Sequence, residues 1–264
     1  MSSSLHVTRW GDSGARVVLI HGGVQGSSTS GTSHFAAQQR LAVQGFQLLV
    51  PDRPGHGKSP SPGRPDDAAA DGEWAAELLG DSAHLIGHSF GGCVALAAAS
   101  RRPAAVRSLT LIEPAMLGLA THDPRVRRFL LKVVVTQVFS LSARSRMRRM
   151  AKILGIPAEI GGPRSPDEQA RMGRAMRRVV LPNKQTLEQQ LAALHERGTP
   201  LLVVTGGWSP AVGVVGDTVA ALGGGRHVVI RSPHHFPQLV SDEFNALFVE
   251  FAEQAARIKG TDCA

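Results

Sequence analysis

Short runs rich in β-branched residues alternate with segments of helical periodicity along most of this 264-residue chain. Such alternation is typical of a mostly parallel sheet, because parallel neighbours need long crossover connections that place helices on both faces. We predict strands at residues 5–10, 16–20, 46–50, 84–86, 106–112, 201–205 and 227–230. We predict helices at residues 33–44, 67–79, 91–100, 211–222 and 242–258. The fold class is therefore α/β.

The alternation is interrupted between residues 115 and 197, where the sequence becomes helical, Arg-rich and Met-rich. We interpret this segment as an inserted helical cap, with residues 1–114 and 198–264 forming the core. Turns are expected at 155–157 and 161–166 from their Gly and Pro content. Two roles are open for four cap methionines: filling helix faces, or lining a pliable pocket for an apolar substrate. They are Met147, Met150, Met172 and Met176.

The formal net charge of +8 is concentrated in the same part of the chain. Residues 121–180 carry 14 Lys and Arg against 4 Asp and Glu, and the remainder is close to neutral. One interpretation is a set of solvated helix faces. The other is a docking surface for an anionic partner, such as an acidic acyl carrier protein, a phosphorylated substrate or a lipid surface. Nucleic acid is disfavoured, since the chain has no Tyr and the basic segment has only Phe129 and Phe139 for stacking.

Other compositional features narrow the class of protein. No apolar run reaches the roughly 18 residues of a membrane span, and the first residues lack the layout of a secretory signal. We therefore expect a cytoplasmic protein. Only Cys93 and Cys263 are present, which disfavours a disulfide framework or a metal cluster.

Residues Gly87-His88-Ser89-Phe90-Gly91 form a G-x-S-x-G motif between a predicted strand and an Ala-rich helix. That context gives the motif its meaning, because a sharp strand-to-helix turn exposes the serine hydroxyl at a helix N-terminus. Glycines are required where side chains would collide in the turn. Ser89 is therefore the predicted nucleophile.

Two further segments follow predicted strands: His21-Gly22-Gly23-Val24, and the loop from Pro51 to Ser59, which reads PDRPGHGKS. With the serine motif, they give the chain a strong resemblance to the α/β-hydrolase family, in its cap-bearing branch of esterases, C–C hydrolases and haloperoxidase-like enzymes. The resemblance implies no metal and no cofactor. It also implies an oxyanion hole formed by the backbone N–H groups of Phe90 and Gly23, with Val24 as the rival donor. His21 and the Asp52–Ser59 loop are expected to brace the site.

The resemblance places the general base after the last strand, where two histidines compete. His235 matches the family position, and His234 occupies a position where a small residue is more usual. We favour His235.

The acid departs from the common family pattern. Ser209 stands where most relatives have Asp, and Ser cannot carry the charge that stabilises an imidazolium. Asp217 lies about two helical turns downstream and is expected to face elsewhere. Glu113 ends a predicted strand at the edge where α/β sheets collect active-site groups, and Pro114 is expected to hold it extended. We assign Glu113 as the triad acid, with a bracing role as the alternative.

These assignments predict a serine hydrolase that cleaves an ester-like bond in a small to medium apolar substrate. One rival is a thioesterase acting on a carrier-bound acyl chain, which would give the basic segment a partner. A rival of another class is a low-turnover receptor on the same scaffold.

Overall fold

A computed structural model describes residues 5–157, 160 and 164–261, with side chains through residue 257. Within these residues, seven strands form one sheet in the order β1-β3-β2-β4-β5-β6-β7. β1 is antiparallel to β3, and the other neighbouring pairs are parallel. The strands are β1 (Val7–Trp10), β2 (Ala15–Ile20), β3 (Phe46–Pro51), β4 (Ala83–His88), β5 (Val106–Ile112), β6 (Leu201–Thr205) and β7 (Arg226–Val229).

The apolar strands bury both of their faces. In β2, Val18 and Ile20 belong to one hydrophobic cluster, and Val17 and Leu19 belong to the cluster on the other face. Because successive strand side chains point to opposite faces, a strand covered on both sides must be a continuous apolar run. The predicted mostly parallel α/β fold is confirmed.

Helices cover both faces of this sheet. The helices are α1 (Gly31–His34), α2 (Ala68–Leu78), α3 (Phe90–Arg101), α4 (Pro124–Phe139), α5 (Ala143–Ile153), α6 (Pro166–Ala175), α7 (Lys184–Glu196), α8 (Pro210–Leu222) and α9 (Glu243–Thr261). Residues of α2, α3, α7 and α8 share one cluster with the sheet. On the other face, α9 packs through Phe244, Phe248 and Phe251. None of the described helices is long and apolar enough to cross a membrane.

One predicted helix is wrong in form. Residues 33–44 are not one α-helix: α1 is a single turn, and a 3₁₀ helix covers Ala36–Gln44. The two are separated at Phe35, whose backbone leaves the helical region while its ring is fully buried against the sheet. Packing of this ring overrides helical continuity.

The segment between β5 and β6 contains α4–α7, and we call its residues 124–178, from α4 through the 3₁₀ turn that follows α6, the helical insertion. Its four buried methionines cluster with Val24 from the loop after β2. The buried leucines of α7, by contrast, pack in the core cluster with α3 and α8, although α7 lies inside the predicted cap. Part of the expected turn at 161–166, residues 161–163, lies outside the described residues. The division into core and cap stays a prediction.

Candidate active site

Ser89 is the single residue between the end of β4 and the start of α3. Its backbone has φ 56° and ψ −122°, a conformation that L-residues rarely adopt. The turn is tight on both sides: a Cβ on Gly91 would lie 2.2 Å from the Ile20 carbonyl oxygen, and one on Gly87 would lie 2.5 Å from that of Gly91. Only glycine fits at either position, as the motif predicted.

Backbone hydrogen bonds hold this strained residue in place. The N–H of Ser89 donates to the carbonyl of Ile112 at 2.9 Å. Its own carbonyl accepts from the N–H groups of Gly92 at 3.0 Å and Ala115 at 3.2 Å. Strain of this kind persists only where the surroundings determine the conformation, and here two strands and α3 do so.

Glu113 and His235 are directly paired. Oε2 of Glu113 accepts a hydrogen bond from Nδ1 of His235 at 2.8 Å, and both side chains are buried. The same carboxylate accepts from the Trp208 indole N–H at 2.8 Å and from the Gly206 backbone N–H at 2.6 Å. A buried carboxylate with three donors is well compensated for its lost hydration. The His235 loop is tied to the insertion as well, since the His235 N–H donates to the Gly155 carbonyl at 2.9 Å.

The expected extended backbone at Glu113 is wrong. Its φ is +49°, in the left-handed region, despite the bias that Pro114 imposes. The Glu113 N–H continues the sheet pairing by donating to the Val204 carbonyl at 2.8 Å, while its side chain reaches Gly206 and Trp208. These tertiary hydrogen bonds of the Glu113 backbone and side chain outweigh the preference for an extended conformation before proline.

The rival candidates lie elsewhere. His234 turns back on its own loop, where Nδ1 contacts the Ser232 hydroxyl and accepts from the Phe236 N–H. Asp217 pairs with His227 at 2.7 Å on the far part of α8. Ser209 is the residue that precedes α8 and is buried. The structure thus brings His235 and Glu113 together and leaves these three apart from that pair.

The residues of the two expected oxyanion donors, Phe90 and Gly23, line the same cavity as Ser89. Phe90 is the first residue of α3, so its N–H has no acceptor within the helix. The Gly22 carbonyl accepts from His21 Nδ1 at 2.7 Å and from Arg53 Nη1 at 3.4 Å. Because C=O and N–H of one trans peptide point in opposite directions, this fixes the Gly23 N–H away from Arg53. Gly22 itself abuts Ser89, since a Cβ there would lie 2.7 Å from Ser89 Cβ.

A buried arginine braces this region. Arg53 forms ion pairs with Asp66 and Asp71, and its guanidinium lies 4.3 Å from the centre of the Phe90 ring. Its N–H donates to His21 Nε2 at 2.9 Å, which leaves Nδ1 as the protonated ring nitrogen. Asp52 receives the N–H groups of Gly31 and Lys58 and so closes the loop after β3.

Four buried histidines surround the nucleophile turn: His21, His34, His56 and His88. Burial is the main cause that holds the pKa of each well below the usual 6.5, and neighbouring positive groups add to it. His88 donates from Nε2 to the His235 carbonyl at 2.8 Å. Burial thus favours the neutral form of these rings, whose role here is to pack and to position their neighbours.

A cavity of 280 Å³ opens over Ser89. Its walls include His235, Phe90 and Gly23 on the sheet side and Val133, Leu154 and the four methionines on the insertion side. The methionines are buried in one cluster and also line the cavity, so the two roles left open by the sequence do not exclude each other. That the cavity takes an apolar substrate stays a prediction. In the described part of the chain, no group of three His, Cys, Asp or Glu side chains is placed to hold a metal ion.

Trp208 is the functional candidate that sequence reasoning missed. It follows a Gly-Gly pair after β6, and only the fold brings its indole to Glu113, 95 positions away. A tryptophan in a glycine-containing loop at the carboxyl end of a strand was the available signal.

Comparison with known proteins adds to this geometry. A family model described as alpha/beta hydrolase fold matches residues 15–148. Lipase LipV of Mycobacterium tuberculosis is 38% identical over 134 residues, which cover 48% of this chain and 47% of the lipase. A 2-hydroxy-6-oxo-6-phenylhexa-2,4-dienoate hydrolase of Burkholderia cepacia is 30% identical over 116 residues, 42% and 40% of the two chains. The chain thus spans about half the length of the curated relatives it matches.

A solved structure extends the likeness to nearly the whole chain. The N-acyl homoserine lactonase AidH, complexed with N-butanoyl homoserine, matches with a TM-score of 0.66 and 23% identity over 95% of this chain and 93% of that one. At this identity the likeness shows the fold.

Proposed function

Because this chain belongs to the α/β-hydrolase family, we propose that it is a serine hydrolase acting on an ester-like bond, with Ser89, His235 and Glu113 as its catalytic triad. The hydrogen bond between Glu113 and His235, beside a cavity that both Ser89 and His235 line, carries this proposal. Members of such a triad are recognised by geometry and role rather than by sequence position.

The proposed reaction begins with the proton of Ser89. His235 donates from Nδ1 to Glu113, so Nε2 is the nitrogen that accepts the Ser89 proton as Oγ attacks the carbonyl carbon. The carbonyl oxygen becomes an oxyanion, which accepts from the N–H groups of Phe90 and Gly23. Collapse breaks the bond to the leaving alcohol, which takes the proton from His235. Water, deprotonated by His235, then attacks the acyl carbonyl carbon. The bond from that carbon to Ser89 Oγ breaks, the acid leaves, and His235 returns its proton to Oγ.

The cavity walls support a substrate with an apolar acyl or ring portion. Met147, Met150, Met172 and Met176 provide flexible apolar side chains on the insertion side. With a lipase and an N-acyl homoserine lactonase among the similar proteins, the favoured class here is a medium-sized apolar ester or lactone.

Labelling and hydrolysis test the proposal together. A fluorophosphonate probe is expected to label wild-type protein and the Ser100→Ala control but not Ser89→Ala, as read by intact mass. A p-nitrophenyl ester chain-length series should show turnover with the same dependence on Ser89. Folded wild-type protein that neither takes the probe nor hydrolyses any ester would favour the low-turnover receptor instead.

A further inference from the structure

One side of α4 exposes aliphatic side chains that no described part of the chain covers. Leu131, Val134 and Val138 are 63%, 53% and 55% exposed. Val135, also exposed, completes the spacing of three, four and seven residues that places side chains on one side of a helix. The exposure continues past the helix end to Leu141, which is 96% exposed. Contiguous exposed apolar surface of this kind marks an interaction site.

The opposite side of α4 is already occupied. Val133 and Gln137 line the cavity over Ser89, and Val126 is buried in the core cluster. Gln137 also donates to the Met176 carbonyl at 3.2 Å. The helix is therefore held to the rest of the protein by this other side, and its exposed side is free for a partner.

Exposed basic side chains accompany the exposed aliphatic ones on α4 and on the next helix, α5. Residues 124–153 contain nine Lys and Arg and no Asp or Glu. Arg127 and Arg128 lie one helical turn before Leu131 on the same side of α4, and both are exposed. On α5, Arg144, Arg148 and Arg149 are exposed too. We call the exposed residues of α4 and α5 the apolar-basic face.

The charge of this face selects its partner. A second copy of the chain would bring two sets of arginines together in an apolar contact, where like charges are costly. An anionic partner avoids that repulsion. A lipid surface also suits the exposed aliphatic side chains, because helices that lie in a membrane interface combine an apolar side with flanking Lys and Arg. We propose that the apolar-basic face docks on an anionic lipid surface, with the aliphatic residues at the acyl boundary and the arginines at the headgroups.

Docking in this orientation has a consequence for substrate access. The cavity over Ser89 lies directly behind α4, because Val133 and Gln137 of that helix form part of its wall. Lipid-dissolved apolar molecules would be concentrated one helix away from the cavity. The docking itself requires no chemistry at Ser89, so it stands apart from the proposed hydrolase activity.

Vesicle sedimentation tests the proposal. Wild-type protein is expected to pellet with vesicles of phosphatidylcholine mixed with phosphatidylglycerol, to do so less as salt is raised, and to stay in solution with phosphatidylcholine alone. Arg144→Gln with Arg148→Gln should weaken the partition by about 25-fold, because each basic residue near an anionic bilayer contributes roughly 1 kcal/mol and 1.4 kcal/mol is tenfold. Val134→Gln with Val138→Gln should weaken it by more than about tenfold through lost apolar burial.

Matched controls separate the face from general changes of charge or hydropathy. Val43→Gln alters a valine that is 89% exposed but lies outside the face, and Arg197→Gln removes an exposed charge at the end of α7. Both controls should bind like wild type. All variants should hydrolyse a soluble short-chain ester at the wild-type rate, which reports on the active site separately.

Four outcomes would overturn the proposal. Wild-type protein that ignores anionic vesicles excludes lipid docking, and face variants that bind the vesicles as well as wild type exclude docking at this face. A wild-type dimer that dissociates on Val134→Gln with Val138→Gln would assign the face to a second copy. Capture by an acidic acyl carrier protein, lost in the same variants and without vesicle binding, would assign it to a protein partner.

Discussion

Oε2 of Glu113 lies 2.8 Å from Nδ1 of His235, although the two residues are 122 positions apart. The carboxylate comes from the tip of β5 rather than from the loop after β6, where Ser209 stands. The loop after β6 still contributes, because Gly206 and Trp208 donate to the same carboxylate. The loop after β6, where the family resemblance led us to expect the acid, instead supplies two hydrogen-bond donors to the Glu113 carboxylate.

Glu113→Gln tests the role of this carboxylate. An amide cannot stabilise the imidazolium and favours the wrong ring tautomer, so we expect kcat on a soluble ester to fall by about 10³- to 10⁴-fold. Asp217→Asn is the matched control, because Asp217 of α8 pairs with His227 of β7 instead of His235, and it should keep wild-type kcat. Full activity in Glu113→Gln with loss in Asp217→Asn would reverse the assignment.

Gly22→Ala probes the space beside the nucleophile. The added methyl group would lie 2.7 Å from Ser89 Cβ and 3.0 Å from the His88 carbonyl, so one of them must shift. We expect a loss of about 100-fold or more in kcat, comparable to the loss of one oxyanion donor. Gly118→Ala, where nothing lies within 4 Å, should leave turnover unchanged. Equal rates in the two variants would show that the Gly22 peptide has no part in the reaction.

The buried histidines predict a specific acid sensitivity. His21, His34, His56 and His88 have lowered pKa values in the folded chain because of burial, whereas in the unfolded chain each binds a proton below about 6.5. Below about pH 6.5 the unfolded state therefore binds more protons than the folded state. The free energy of unfolding does not depend on these rings above that pH, and it falls as the pH decreases below it. Each ring contributes up to about 1.4 kcal/mol per pH unit.

Urea denaturation across this pH range checks the sign and the slope. His56→Gln should reduce the pH dependence, because one buried ring no longer titrates on unfolding. His122→Gln removes an exposed ring and should leave the slope as in wild type. A free energy of unfolding that rises on acidification would contradict the neutral state of these rings.

Arg53→Met tests the buried ion pairs beside the site. Removing the guanidinium leaves Asp66 unpaired and Asp71 with only Arg64, so we expect a loss of about 3–5 kcal/mol in the free energy of unfolding. Arg40→Met breaks an ion pair with Asp242 whose side chains are 70% and 69% exposed, and it should cost no more than about 1 kcal/mol. Similar losses of unfolding free energy in both variants would show that the buried ion pairs of Arg53 stabilise the fold no more than an exposed pair does.

The sequence predicted those features of the fold and the site that depend on residues close together in the chain. The alternation of strands and helices predicted the sheet, and the glycines at 87 and 91 predicted the turn at Ser89, because both depend on neighbours in sequence. Glu113 was found because the end of a strand is readable from its flanking residues.

Long-range contacts were beyond that reach. Tertiary packing brings the Trp208 indole to the Glu113 carboxylate. It likewise brings Arg53 to Asp66 and Asp71, and neither contact is encoded in the G-x-S-x-G motif. The left-handed backbone of Glu113 opposes the preference set by Pro114, since hydrogen bonds to β6 and its loop determine it. The apolar stripe on α4 has the same periodicity whether it is buried or exposed, so only the fold could reveal it.

The hydrogen bond from the His235 N–H to the Gly155 carbonyl joins the loop of the base to the end of α5. Gly155 sits close enough to Trp208 that a Cβ would lie 3.1 Å from the indole ring. Gly155 therefore touches both partners of Glu113: its carbonyl holds the backbone of His235, and its Cα lies against the indole that donates to the Glu113 carboxylate. A side chain at position 155 would reach the Glu113–His235 pair from two sides at once, although the residue belongs to neither.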